Sequence, residues 1–277
     1  MSSPLDPRAA LAVVPGWNPS IASIEELKGG LTNRTFRVTY EDAHYALRLD
    51  VEGSDILRFD RTCEATIMHA AHASGIGPEV VYVDAEAGIL LSRFLPGRTW
   101  AAQDIESDHQ LDRLADLLRA VHRLPICGNR VHYSKEAAAY ETFLGERQGL
   151  HTFASRCLDI VRSTPDRGII ACCHNDIIAR NIIDNGVIKL IDWEYASDND
   201  PLFDIACVIG FHELDDRQAD YLLDAYAGGA GTEERERLAE QQRTYDALHW
   251  LWFAARQLVL PDAAQVIELE RLQQRIR

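Results

Sequence analysis

The sequence predicts an α+β fold in two lobes, a small antiparallel sheet in residues 1–95 and a larger helical lobe in residues 96–277. Three observations predict it. Short strand-like runs alternate with turns through the first third of the chain. Beyond Gly97 apolar residues recur at three-to-four spacing instead. Between the helical runs, residues 172–193 set short apolar segments around a cluster of His, Asn and Asp. A chain of 277 residues can bury a substantial core in this arrangement. Its 47% apolar and 26% charged residues are the mix of an ordinary soluble globular protein.

Taken in order, residues 21–27, 35–40 and 43–49 read as a three-stranded meander whose first turn carries Gly29 and Gly30. In the third strand Arg48 alternates with Tyr45, Leu47 and Leu49, so it points to the opposite face. Residues 61–73 read as a helix, with Ala65, Met68 and Ala71 or His72 at helical spacing and Glu64 in its first turns. Gly75, Gly77 and Pro78 end it. Residues 80–83 and 89–92 complete a five-stranded sheet, and Arg93-Phe94-Leu95-Pro96-Gly97 is the candidate hinge. Further helices are expected from the stripe Leu111, Leu114, Leu118 and Val121, and over residues 135–144, 153–161, 219–226, 233–259 and 263–276. Residues 181–184 and 187–191 read as a hairpin turning at Asn185-Gly186, a favoured two-residue turn.

The formal net charge of -15 argues against a nonspecific grip on nucleic acid or an anionic bilayer. It suits a cationic substrate, although a solubilising acidic surface gives the same number. No apolar run approaches the roughly 18 to 20 residues of a membrane span. Residues 1–10 hold prolines and no apolar core, unlike a signal peptide. The six cysteines are scattered without a CxxC pair, so buried thiols are expected rather than a disulfide framework, in a cytoplasmic protein.

The chemistry concentrates in His174-Asn175-Asp176, Asn181 and Asp192. Two aspartates and an asparagine in this order suit phosphoryl transfer, in which one carboxylate accepts a hydroxyl proton and hard oxygen ligands hold Mg2+ against phosphates. Asp176 is the candidate for the first task, and Asn181 and Asp192 for the second. His174 is expected to buttress the loop. The alternative is that Asn and Asp here only bond their own backbone, as loop residues do. Upstream, the small residues of Gly29-Gly30-Leu31-Thr32-Asn33 let backbone amides approach phosphates, a weak signal that also fits a plain hairpin turn. The loop does not match GxxxxGK[ST], which disfavours a Walker-type site. Arg48 is the natural partner of the nucleotide phosphates and Glu64 the carboxylate that orients it, with surface placement as the alternative for each. Near the carboxyl terminus Trp250 and Phe253 share a helix face while Trp252 points elsewhere. Such rings attract quaternary ammonium groups or simply pack in the core.

With these residues assembled, the chain resembles the choline/ethanolamine kinase family, within the aminoglycoside-phosphotransferase-like group of protein-kinase-like folds. The resemblance runs from about residue 29 to residue 257. It rests on His174-Asn175-Asp176 with Asn181, on Ile191-Asp192-Trp193-Glu194-Tyr195-Ala196, on Asn199, and on Phe203-Asp204-Ile205. It implies a bilobed protein-kinase-like fold that uses ATP and Mg2+. Asp176 would be the catalytic base, Asn181 and Asp192 the metal ligands, and Arg48 with Glu64 the phosphate-positioning pair. Gly29, Gly30, Thr32 and Asn33 would cover the nucleotide, which lies between the lobes at Arg93, Phe94 and Leu95. Glu194 and Tyr195 fall near the amine-binding surface, and Asp204 is expected to brace the catalytic loop. Trp250 and Phe253, or Trp252 in a shifted alignment, match the aromatics around a trimethylammonium group, with Phe in place of a second tryptophan. A further departure is Ile178-Ala179-Arg180 inside the catalytic loop. The implied acceptor is a small cationic amino-alcohol, choline, with ethanolamine, thiamine or an aminoglycoside as alternatives. A noncatalytic binding protein of the same fold is a separate reading.

Overall fold

The amino-terminal sheet contains β1 (Ser23–Leu27), β2 (Asn33–Tyr40), β3 (Ala43–Asp50), β4 (Val80–Asp84) and β5 (Ile89–Arg93), in the order β1-β2-β3-β5-β4. All neighbours are antiparallel. The structure, a computed structural model, describes residues 5–27, 33–51, 59–145, 149–259 and 261–276. Gly29, Gly30 and Thr32 of the expected nucleotide loop lie outside them.

Strand alternation sorts the two sheet faces as the sequence pattern predicts. Tyr45, Leu47 and Leu49 join Phe36, Val38 and Leu91 in a buried cluster. That cluster is closed by Ala10 and Leu11 of α1 (Pro7–Ala12), a helix that proline-rich sequence had concealed. Arg48, on the other face, meets α2 (Arg61–Ala73). α2 starts where it does because the Asp60 side chain accepts hydrogen bonds from the Thr62 and Cys63 amides, satisfying two orphan donors.

From the end of β5 the chain passes through Phe94–Gly97 to β6 (Arg98–Thr99), which pairs with β8 (Ile182–Asp184). Gly97 has φ +144°, and a Cβ there would stand 2.8 Å from the Asp184 carbonyl oxygen, so the crossing requires glycine. β8 and β9 (Ile188–Leu190) form the expected hairpin, but Asp184 pairs with Ile188, so its turn spans residues 185–187 rather than the two expected, with Gly186 at φ +101°. The helical lobe is built from α3 (Asp108–Val121), α4 (Tyr133–Leu144), α5 (His151–Ser163), α6 (Leu202–His212), α7 (Asp216–Ala227), α8 (Thr232–Val259) and α9 (Ala263–Arg275). The predicted α3 stripe of Leu111, Leu114, Leu118 and Val121 is fully buried. Truncating one such leucine to alanine costs about 2–5 kcal/mol, lost transfer energy plus a cavity. α6 was not predicted, because residues 202–210 are buried all round and offer no polar face to set a period.

One expectation is corrected. Cys63 of α2 and Cys127, in the connection between α3 and α4, form a disulfide with Cα atoms 5.6 Å apart. The fold brings together two cysteines 64 positions apart, which scattered spacing could not reveal. Cys157, Cys172, Cys173 and Cys207 are the buried free thiols the sequence predicted.

Candidate active site

The loop carrying Asp176 leaves β7 (Ala171–Cys173), which pairs with β10 (Ser197–Asn199). Asn175 takes φ +63°, a left-handed turn that asparagine tolerates better than most residues. Its side chain fixes the turn by donating to the Tyr195 carbonyl at 2.8 Å and the Ser197 hydroxyl at 2.7 Å. Asp204, fully buried in the first turn of α6, accepts from the His174 amide at 3.0 Å and the Asn175 amide at 2.6 Å. His122 Nε2 lies 3.0 Å from the same carboxylate. His174 bridges its ring Nε2 to the Ile191 carbonyl at 3.1 Å, while Nδ1 accepts from the Asp176 amide at 3.3 Å. Burial lowers the His174 pKa, so the ring is neutral and buttresses the loop.

Held by this frame, Asp176 receives both amide protons of Asn181. One goes to its carboxylate at 2.8 Å and the other to its main-chain oxygen at 2.9 Å. Asn181 therefore keeps its amide oxygen as the atom able to bind a cation. Burial pushes the Asp176 carboxyl up to about 6, with the Arg180 charge opposing the shift. Asp192 has φ +64° and lies two residues past the end of β9. Its side chain is 38% exposed, but into the cleft between the lobes, and burial there raises it to about 6 against the pull of Arg48. Arg48 Nη1 stands 3.9 Å from it.

Arg48 and Glu64 form a two-pronged ion pair, one prong at 2.6 Å, joining β3 to α2. Burial opposes the Arg48 charge, but attraction to Glu64 and bonds with it raise the pKa overall. Burial likewise opposes the Glu64 charge, yet Arg48 and Arg61 together hold it below the ordinary carboxylate range. The Arg48 Nε proton is buried and has no partner among the described residues. Arg61, which the sequence reading missed, adds bonds to Glu64 and to Glu194. Asn33 donates to Glu194 as well. Glu194 is only 5% exposed and ties α2 and the start of β2 to the segment after Asp192, while still bordering the cavity described next.

Asp176, Asn181, Asp192 and Glu194 border a cavity of about 1110 Å³. Its far side is made by α4 through Tyr133, Tyr140 and Phe143, and by α8 through Tyr245, His249, Trp252, Phe253 and Arg256. Those α8 positions recur at three and four residues, a stripe on one helix face. Trp250 belongs to the other face. It is 1% exposed, packs on Phe153 with centroids 4.6 Å apart, and does not line the cavity, so the expected Trp250–Phe253 pair is replaced by Trp252 with Phe253. Trp252 and Phe253 meet edge to face at 4.9 Å, and the Arg256 guanidinium lies 5.6 Å from the Trp252 ring centre. Tyr195 also lines the cavity, with a buried hydroxyl that has no partner among the described residues. Arg93, Phe94 and Leu95 connect the lobes but do not border this cavity. Arg93 instead stacks over Tyr45, and Phe94 hydrogen-bonds the His44 carbonyl.

The sheet lobe, the helical lobe and the braced Asp176–Asn181 loop between them define a protein-kinase-like phosphotransferase fold. The chain belongs to the phosphotransferase enzyme family, which it matches over residues 23–241. It is 27% identical to the protein LicA of Haemophilus influenzae over 207 residues, 72% of this chain and 61% of that protein's length. It is 26% identical to probable choline kinase 1 of Arabidopsis thaliana, with 91% of this chain and 85% of that protein covered. A thiamine kinase of Salmonella typhi is also 26% identical, over 80% of this chain and 76% of its own length. Among solved structures, a choline/ethanolamine kinase family protein from Mesorhizobium loti superposes with TM-score 0.75 at 26% identity, covering 97% of this chain and 92% of its own.

The residues present fit a divalent cation. The Asn181 amide oxygen and the Asp192 carboxylate are hard ligands. Around them the two guanidiniums of Arg48 and Arg61 face the carboxylates of Asp50, Glu64, Asp192 and Glu194, an excess of negative charge. Among the described residues no helix is long and apolar enough to cross a membrane.

Proposed function

We propose that this protein transfers the terminal phosphoryl group of ATP to the hydroxyl of choline, giving phosphocholine and ADP. The observation that carries the reading is the Asp176–Asn181 pair opening into a cavity whose opposite wall is aromatic. Asp176 accepts the hydroxyl proton as the acceptor oxygen bonds to the terminal phosphorus and the bond to the departing ADP oxygen breaks. Its pKa near 6 leaves it ionised at neutral pH yet basic enough to take that proton. Asn181 and Asp192 would hold Mg2+, which when bound neutralises charge on the phosphates. Arg48, aimed by Glu64, keeps its Nε donor for a phosphate oxygen. The quaternary ammonium sits among Trp252, Phe253 and the Tyr140 side of the cavity. There the aromatic faces attract it without requiring a hydrogen bond. The likeness to probable choline kinase 1 of Arabidopsis thaliana supports the choice of acceptor.

Thiamine, also cationic and hydroxylated, is the competing acceptor, since a thiamine kinase is among the relatives. The test is kcat/KM with Mg-ATP for choline, ethanolamine, thiamine and one aminoglycoside. Choline should lead ethanolamine by roughly tenfold or more, the value of a desolvated cation–aromatic contact. A higher value for thiamine or the aminoglycoside would move the acceptor assignment and leave the phosphoryl site intact.

A further inference from the structure

The two buried arginines at the lobe junction differ in one respect. Arg48 spends two nitrogens on Glu64 and keeps its Nε proton uncommitted among the described residues. Arg61 keeps nothing. Its Nε donates to Asp50 at 3.0 Å. Its Nη1 donates to Glu64 at 3.0 Å and to Glu194 at 3.4 Å. Its Nη2 donates to Asp50 at 2.6 Å and to Asn33 at 3.1 Å. A guanidinium has five N–H donors, and all five are used. The residue is 9% exposed, and its guanidinium also lies 4.5 Å from the Phe59 ring centre.

These partners come from four separate segments. Asn33 opens β2, Asp50 closes β3, Glu64 is the α2 carboxylate that holds Arg48, and Glu194 follows Asp192 by two residues. The geometry points to Arg61 as a positioning residue for phosphoryl transfer, which registers the start of β2, the Arg48–Glu64 pair and the Asp192 segment against one another across the lobes. The inference rests on the phosphotransfer reading but not on the identity of the acceptor. Arg61 touches no reacting atom in this account. Its donors are spent on protein, which is why it positions while Arg48 binds. Lysine, a point charge with three donors and no planar fork, cannot reproduce the arrangement.

The experiment compares wild type with Arg61→Ala and Arg61→Lys in Mg-ATP dependence, acceptor dependence and direct Mg-ATP binding without acceptor. Misplacement of catalytic groups by about 1 Å costs roughly 100-fold, so kcat/KM for Mg-ATP should fall by that order in both variants. The acceptor KM should stay within about twofold, because Arg61 itself does not line the cavity and has no contact with Trp252 or Phe253. Added guanidinium chloride at concentrations too low to unfold the protein should restore part of the Arg61→Ala rate, and sodium chloride of equal ionic strength should not. If Arg61→Ala fails to fold, Arg61→Lys carries the test. A folded variant with near wild-type Mg-ATP kinetics, or one whose loss lies wholly in acceptor KM, would overturn the proposal. An unexpected preferred acceptor for wild type would change only the substrate assignment, because the Mg-ATP binding comparison needs no acceptor.

Discussion

At the scale of single residues, Asp176 carries the sharpest expectations. Asp176→Asn keeps the shape and removes the base, so kcat should fall roughly 10²–10⁴-fold while Mg-ATP binding persists. The pH dependence follows in sign from its raised pKa. The carboxyl is protonated and idle below about 6, so kcat/KM should rise through that pH. Stability runs the other way. Between the unfolded carboxyl's lower pKa and about 6 the folded state binds the extra proton, so the Asp176 contribution weakens as pH rises through this window. Asp176→Asn should therefore melt at or above the wild-type temperature at pH 8, and a clear fall in Tm would contradict that. The residues of this site were legible in the sequence where they are near in chain. Asp176 and Asn181 meet across five positions, and Asp192 follows one hairpin later. Arg61 and Glu194 are separated by 133 positions, and no local pattern marks a pair that only the packed lobes create.

At the scale of elements, α6 and α8 decide the site. α6 exists to bury a uniformly apolar run and to hold Asp204 beneath the His174 and Asn175 amides. Asp204→Ala leaves these buried donors without their acceptor. Unfolding in urea should show a loss of about 3 kcal/mol or more, since each abandoned buried group costs about 1–3 kcal/mol. A loss under about 1 kcal/mol would contradict the bracing role. The same uniform burial hid α6 from a reading based on period, whereas the strands of the sheet and the α3 stripe announced themselves by alternation and by three-to-four spacing. α8 was legible as a helix but not in its rotation. That rotation is set by α4, α5, α6 and α9 packing around it, which directs Trp250 to Phe153 and Trp252 to the cavity. Trp250→Ala should cost about 3–5 kcal/mol of stability, as large aromatic truncations in cores do. Trp252→Ala should instead raise the choline KM with a smaller change in stability. Reversal of that pattern would return the cation to the Trp250 face.

At the scale of the whole molecule, the two lobes are joined by the Phe94–Gly97 crossing, the Arg61 network and the Cys63–Cys127 disulfide. Closing a loop of 64 residues limits the unfolded chain and adds about 4 kcal/mol in the chain-entropy account. The oxidised protein should thus melt above the reduced protein and above Cys127→Ser, with equal Tm for the last two. The cleft carries the acids Asp176, Asp192 and Glu194 on one side and aromatic rings of α4 and α8 on the other. That combination suits the proposed transfer from ATP to a small cationic alcohol. The most direct measurement is phosphorus NMR of choline incubated with Mg-ATP and either wild type or Asp176→Asn. Wild type should produce the phosphomonoester signal of phosphocholine with matching ADP, and Asp176→Asn should bind Mg-ATP yet produce none on the same timescale. Phosphocholine formed by Asp176→Asn at the wild-type rate, or no phosphomonoester from wild type, would contradict the assignment of this site to choline phosphorylation.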